Sequence, residues 1–192
     1  MKDKRNQARF DSQKIELEQL NMLHKAGYID LYYCDESHFG LTPNVSYAWQ
    51  HKDNPVLLSA AKGKRLSVLG LMTPDCKLFS RTFEGSVNSD KAIAVMDEFS
   101  QTINKRTIVV IDNAPIHRSK KFAAKINEWK EQDLWIYFLP PYSPELNIIE
   151  ILWRFIKYKW LPFETFIDFE SLKKNVAEIL SLVGSKHCIN FH

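Results

Sequence analysis

The sequence predicts an α/β fold with a mixed five-stranded sheet and helices on both faces. In the second half of the chain, short apolar runs alternate with helical segments, as in parallel strands joined by crossover helices. In the first half, two strand-like runs, 65–72 and 77–83, are separated by the turn-like Thr73-Pro74-Asp75. This spacing favours an antiparallel hairpin beside the parallel strands.

Each remaining element follows from the period of its apolar residues. Residues 1–27 are predicted to form a basic lead-in of about ten residues and a linker helix, which Ser12 caps and Gly27 ends. Residues 28–192 then form one domain. Within it, a helix starts at Asn88 or Ser89. Further strands are predicted at 31–35, 108–111 and 134–139, and further helices at 119–131, 143–160 and 168–183.

Composition and length exclude several classes of protein. The 192 residues, 45% hydrophobic and 26% charged, are typical of one globular domain. No run approaches the roughly 18 apolar residues of a membrane span, and the start is polar and basic, so we expect a cytoplasmic protein with no membrane partner. Cys34, Cys76 and Cys188 are too dispersed to predict a disulfide framework or a zinc site. The net charge of +3 is too small to identify a partner.

Two aspartates end predicted strands. Asp112 follows the apolar run 108–111, at the carboxyl end of a central parallel strand, where open α/β sheets bind their ligands. Alternatively, it caps the turn toward Pro115. Asp35 ends the run 31–35 on the face of Leu31 and Tyr33, and a charge on a buried face must be paired or bound to metal. Alternatively, it is a strand-end residue in water.

Glu150 is the third candidate, on the predicted helix 143–160. It falls at the border of the stripe formed by Leu146, Ile149, Trp153, Ile156 and Trp160, so it faces the sheet. The alternative is an ordinary surface pair with Arg154, four residues later. Two nearby acids are assigned other roles: Glu145 favours the helix start electrostatically, and Glu36 is a solvated neighbour of Asp35.

Three converging carboxylates repel one another, and either a divalent cation or proton uptake relieves that repulsion. Hard oxygen ligands favour Mg²⁺ or Mn²⁺, and two such ions would support in-line displacement at a phosphodiester. Basic clusters nearby fit a nucleic-acid substrate, although each cluster alone is more often a solvated surface. These clusters are Lys62, Lys64 and Arg65; Arg118, Lys120, Lys121 and Lys125; and Arg154, Lys157 and Lys159. Tyr47 and Trp49 are suited either to base stacking or to packing of their loop.

Three segments together resemble the catalytic blocks of DDE transposases. They are YCDESHF at 33–39, VIDNAPIH at 110–117 and LPPYSPELNIIE at 139–150. The chain is most similar to the bacterial insertion-sequence branch of the mariner superfamily, from about Tyr28 onward and with the blocks in the same order. The spacing agrees too, because 37 residues, 113–149, separate Asp112 from Glu150.

The resemblance implies a ribonuclease H-like fold with Asp35, Asp112 and Glu150 as the metal-binding catalytic triad. It also implies nicking of DNA at transposon ends and attack of the freed 3′-hydroxyl on target DNA, commonly at TA. A homodimer on nucleoid DNA in a bacterial cytoplasm is expected, since two ends must be joined. Asn113 and His117 match family residues, and His117 contacts DNA, steadies the triad or is structural.

Two departures from the family pattern limit what the resemblance implies. Glu145 and Ile148 replace the usual aspartate and second proline of the block before Glu150, without touching the triad. The helix-turn-helix domains of full-length relatives are not expected within these 192 residues, which leaves recognition of transposon ends open. Two alternatives therefore remain: an inactive remnant that binds DNA or a partner, and another nuclease of the same fold, such as a ribonuclease H or a junction resolvase.

Overall fold

The computed structural model describes residues 6–43 and 63–189 and confirms the α/β prediction. Tyr47, Trp49 and Lys62 lie outside the described residues. The helices and strands are, in order, α1 (Gln7–Lys25), β1 (Asp30–Gly40), β2 (Arg65–Met72), β3 (Leu78–Glu84), α2 (Ser89–Ser100), β4 (Thr107–Ile111), α3 (Lys120–Glu131), β5 (Leu134–Phe138), α4 (Ile149–Phe155) and α5 (Phe169–Leu182). None of the helices in the described ranges is both long and apolar enough to cross a membrane.

The five strands form one mixed sheet in the order β3-β2-β1-β4-β5. The predicted hairpin is confirmed, since β2 pairs antiparallel with β3 and also with β1. The second half is parallel as predicted: β4 lies between β1 and β5 and runs in the direction of both. β1 is therefore the central strand, antiparallel to one neighbour and parallel to the other.

Helices cover both faces of the sheet, and each face has its own hydrophobic core. On one face, α1, α4 and α5 contribute Leu17, Ile149 and Leu172 to the core that contains Tyr33 of β1. On the other face, α2 and α3 bring Phe99, Phe122 and Trp129 against Cys34, Val109 and Leu134. Because side chains on both faces of β2 and β4 are buried, these strands are the most enclosed part of the sheet.

The first helix begins earlier than predicted. Asn6, and not Ser12, is its N-cap, because the Asn6 side chain accepts a hydrogen bond of 3.0 Å from the backbone N–H of Arg9. Residues 7–10, assigned to the lead-in, are therefore helical. Gln13 attaches the helix to the sheet edge by donating to the hydroxyl of Tyr137 and the carbonyl of Phe138, each at 3.0 Å.

The strand that carries Asp35 is longer than the predicted run 31–35. Its parallel pairing with β4 ends at Tyr33, but its antiparallel pairing with β2 continues to Gly40, opposite Arg65. Asp35 is thus in the middle of β1 and not at its end. It lies at the point where β1 loses one of its two neighbouring strands.

The predicted helix 143–160 is broken once, at Asn147, which has an extended backbone with φ −102° and ψ 94°. A 3₁₀ turn (Pro144–Leu146) precedes this break, and α4 follows it and continues directly into a π turn (Ile156–Trp160). The side-chain amide of Asn147 instead donates 3.0 Å to the carbonyl of Cys34, so a contact with β1 replaces helical continuity. Glu150 is consequently in the first turn of α4 and not in the middle of a long helix.

Candidate active site

The sheet register brings Asp35 and Asp112 together. Tyr33 and Val110 form the last β1–β4 pair, and each aspartate lies two residues further along its parallel strand. Side chains two residues apart share a face, so both carboxylates project on the face where Tyr33 and Val110 are buried. The structure therefore places them side by side at the carboxyl end of β4.

Glu150 faces the same space from α4. One pocket, with a cavity volume of about 370 Å³, is lined by all three carboxylate residues and by Asn113, Ala114, Arg118, Asn147 and the segment 139–144. Among the described residues, no three His, Cys, Asp or Glu side chains lie close enough together to hold a metal ion as they stand. The three carboxylates thus share a pocket without forming a preassembled ligand cluster.

The electrostatics of the pocket favour a bound cation. Burial, followed by repulsion from Glu150 and Asp112, raises the pKa of Asp35 well above its usual value. Burial also raises the pKa of Glu150, to which Asp112 adds, against an opposing effect of Lys157. The ionised forms of Asp35 and Glu150 are therefore incompletely compensated, and either a proton or a cation would relieve them. Carboxylate oxygens are ligands that Mg²⁺ and Mn²⁺ prefer, so this donor set fits a divalent ion.

Asp112 is held in its ionised form. Burial acts to raise its pKa, but hydrogen bonds from His117 and the backbone of Ala114 outweigh burial and lower it. Oδ1 of Asp112 accepts both bonds, each at 3.0 Å. The His117 ring is only 3% exposed and packs against Phe122. Of the predicted roles for His117, the geometry supports steadying Asp112.

Lys157, and not Arg154, is the cation beside Glu150. The half-buried Lys157 has a pKa lowered by burial, an effect that attraction to Glu150 and Asp35 opposes. Its Nζ lies 5.4 Å from the centre of the Phe39 ring. Arg154 instead lines a second cavity with Phe155 and Lys159. The structure therefore does not support the alternative of a surface pair between Glu150 and Arg154.

The other predicted DNA contacts are scattered. Arg118 lines the carboxylate pocket, and so does Asn113, whose side-chain amide donates to the carbonyl of Leu139. Lys120 is exposed at the start of α3. Two further lysines make ion pairs with acids outside the pocket: Lys121 with Asp90 at 2.8 Å, and Lys125 with Asp97 at 3.0 Å and Glu128 at 2.6 Å.

Sequence reasoning missed three residues of the site. Asn147 connects the segment before α4 to β1, as described above. Tyr142 lines the pocket with an exposed ring and a left-handed backbone, φ 58°, which is uncommon outside glycine. Trp153 donates its indole N–H to Oδ2 of Asp35 at 3.0 Å. For Trp153 a signal was present, because it lies three residues after Glu150 on the same helix face and carries a polar N–H.

Known proteins share this architecture. The fold matches the Mos1 transposase in a strand transfer complex at a TM-score of 0.63 and 18% identity, over 92% of this chain and 55% of that one. It also matches the catalytic domain of Mos1 mariner transposase at a TM-score of 0.59 and 14% identity, over 92% of this chain and 82% of that one. These likenesses define the fold as ribonuclease H-like.

The sequence itself identifies the family. A family model described as DDE superfamily endonuclease matches residues 30–173, and the chain belongs to this family. An uncharacterized protein of Sinorhizobium fredii, y4pE/y4sA, is 32% identical over 65 residues, which is 34% of this chain and 44% of that protein. The chain spans about half the length of the S. fredii protein and of the Mos1 chain in the strand transfer complex.

Proposed function

We propose that this chain is the catalytic domain of a transposase of the bacterial insertion-sequence branch of the mariner superfamily. It cleaves DNA strands at transposon ends and joins the freed 3′-hydroxyl to target DNA. One observation carries the proposal: Asp35, Asp112 and Glu150 of a DDE superfamily endonuclease line a single pocket. Residues 28–192 form the catalytic domain in this proposal, and α1 serves as the linker helix.

The three carboxylates would hold two Mg²⁺ or Mn²⁺ ions, which activate a nucleophile and stabilise the leaving oxygen of a phosphodiester. The protein's own residues supply orientation and charge. His117 and the backbone of Ala114 hold Asp112, while Lys157 partly offsets the charge of Glu150. Arg118, on the pocket wall, would contact a phosphate of the bound strand.

DNA is the proposed partner, both as transposon ends and as target, with TA as the proposed target dinucleotide. A homodimer on DNA follows from the need to join two ends. The strand transfer complex of Mos1, whose fold this chain shares, supports the assignment of a strand-transfer role. In the cell the protein would act on nucleoid DNA in the cytoplasm.

Metal-dependent nicking of supercoiled plasmid tests the proposal. Wild type should nick the plasmid in Mn²⁺ and not in EDTA. Asp112→Asn should reduce nicking by roughly 10³-fold or more, because the variant loses a member of a catalytic group that acts as a unit. Asp133→Asn is the matched control: Asp133 is exposed, its φ of 61° suits asparagine, and it immediately precedes the amino end of β5.

The outcomes separate the alternatives. Equal Mn²⁺-dependent nicking by wild type and Asp112→Asn would contradict the proposal. DNA binding without nicking by wild type would support the inactive remnant instead. Preference for an RNA–DNA hybrid or a branched junction over plasmid DNA would support another nuclease of the same fold.

A further inference from the structure

One hydrogen bond connects the helix of Glu150 to the strand of Asp35. Nε1 of Trp153 donates to Oδ2 of Asp35 at 3.0 Å, between residues 118 positions apart. Trp153 is only 2% exposed, and a buried indole N–H normally has an acceptor. Here the acceptor is a carboxylate, and hydrogen bonds to ionised groups are among the stronger ones in proteins.

The strand beside Asp35 makes room for this ring. Gly70 of β2 is the registered partner of Asp35. A Cβ at Gly70 would lie 2.8 Å from Cη2 and 3.0 Å from Cζ2 of Trp153, and 3.2 Å from Cδ1 of Ile149. Gly70 is not among the glycines with positive φ, so its backbone conformation does not explain a glycine there. Close approach of the Trp153 ring does.

The ring has little freedom to shift. Phe39, on the same face of β1 as Asp35, packs edge-on against Trp153 with ring centroids 6.5 Å apart. Trp153 and Glu150 are three residues apart on α4, so one short helix carries Glu150 and also contacts Asp35. The position of the indole thus couples the orientation of one carboxylate to the helix that carries another.

We propose that Trp153, accommodated by Gly70, is a positioning residue that orients the Asp35 carboxylate toward a bound divalent metal. The inference rests on the proposed function, in which Asp35 is a metal ligand. It parallels the contact at Asp112, where His117 holds one carboxylate oxygen.

Trp153→Phe tests the proposal, because it removes the N–H and keeps an aromatic ring. Calorimetric titration with Mn²⁺, below the melting temperature of each protein, should show an affinity about 10–100-fold weaker than wild type, the usual effect of losing an outer-shell partner. In the nicking assay the Mn²⁺ concentration for half-maximal rate should rise accordingly, with a smaller change in the rate at saturating Mn²⁺.

Trp129→Phe is the matched control. Trp129 is fully buried and donates its indole N–H to Asp97 at 2.7 Å, but it belongs to the core on the other face of the sheet. This variant should lose stability and keep wild-type Mn²⁺ affinity. A structural effect of losing any buried indole would weaken Mn²⁺ binding in both variants, which would overturn the positioning role.

Gly70→Ala provides a second route that keeps the Trp153 N–H. Its methyl group should displace the ring and weaken Mn²⁺ binding, whereas Gly40→Ala, with open space around the added carbon, should not.

A third measurement uses the wild-type protein and the NMR signals of its indole N–H groups. Binding of Mg²⁺ should shift the indole N–H resonance of Trp153 and leave that of Trp129 unchanged. An unshifted Trp153 resonance on Mg²⁺ binding would overturn the proposal.

Asp35→Asn separates the positioning role of Trp153 from the proposed function. Loss of Mn²⁺ binding in Asp35→Asn with wild-type affinity in Trp153→Phe would overturn the positioning role alone. Wild-type affinity in both variants would overturn the assignment of Asp35 as a metal ligand, and the proposed function with it. Loss in Asp35→Asn with a partial loss in Trp153→Phe is the expected result.

Discussion

At the scale of single residues, Asp35 shows how the proposed metal site opposes stability. Its carboxylate is largely enclosed, and both other site carboxylates repel it. The neighbouring donors, Trp153 and Lys157, offset this only in part, as the raised pKa of Asp35 shows. A cation would remove the repulsion, so the same arrangement that is unfavourable without metal favours metal binding.

Asp35→Asn should therefore stabilise the metal-free protein. At pH 7 in EDTA we expect the free energy of unfolding to rise, because burial and repulsion from Glu150 and Asp112 both act against the charged form of Asp35. Thermal denaturation measures the change. Asp30→Asn on the same strand is the control and should not stabilise, because it removes an attractive pair with Lys105 at 3.1 Å. A lower melting temperature for Asp35→Asn in EDTA would contradict the expected repulsion.

At the scale of secondary-structure elements, the turn between β2 and β3 is tied to α1. Asp75, in this turn, lies 3.2 Å from Nε2 of His24 near the end of the helix. Burial acts to raise the pKa of Asp75, but hydrogen bonds with Thr73 and His24 and attraction to Lys77 outweigh it and lower the pKa to about 2. The ionised Asp75 is thus favoured in the folded protein and connects the hairpin to the first helix.

Asp75→Asn should lower stability in a pH-dependent way. A folded-state pKa below the unfolded value contributes stability above about pH 4 that is lost as pH falls through about 2. The variant should therefore be less stable than wild type at pH 7, by under about 1 kcal/mol since the side chain is half exposed. The difference should shrink toward pH 3 in urea denaturation. A difference that stays constant from pH 7 to pH 3 would contradict this account.

Element boundaries show what the sequence predicts well and what it does not. The turn of the hairpin at 73–75 and the helix starts predicted at Asn88 or Ser89, at Ser119 and at Asp168 depend on neighbouring residues, and the structure has them within one residue of the prediction. The continuous helix 143–160 was wrong, because Asn147 makes its hydrogen bond to Cys34, 113 residues away. Local periodicity carries no information about such a distant partner.

At the scale of the whole molecule, the sequence predicted the fold and the order of the catalytic blocks. The order of strands and helices in the sequence predicted a mixed five-stranded sheet, which the structure has. The structure also places Asp35, Asp112 and Glu150 in one pocket. Among the partners of those carboxylates, His117 was among the residues that the sequence indicated, whereas three other features of the site were not predicted. The Trp153–Asp35 bond, the room left by Gly70 and the choice of Lys157 over Arg154 all depend on tertiary packing between distant segments.

Calorimetric titration of Mn²⁺ into wild type and Asp112→Asn, each with a short DNA duplex present, tests the central claim most directly. If Asp35, Asp112 and Glu150 form one metal site, wild type should bind Mn²⁺ and Asp112→Asn should lose most of that binding, while both remain folded. Equal Mn²⁺ binding by the two proteins would contradict a shared carboxylate site.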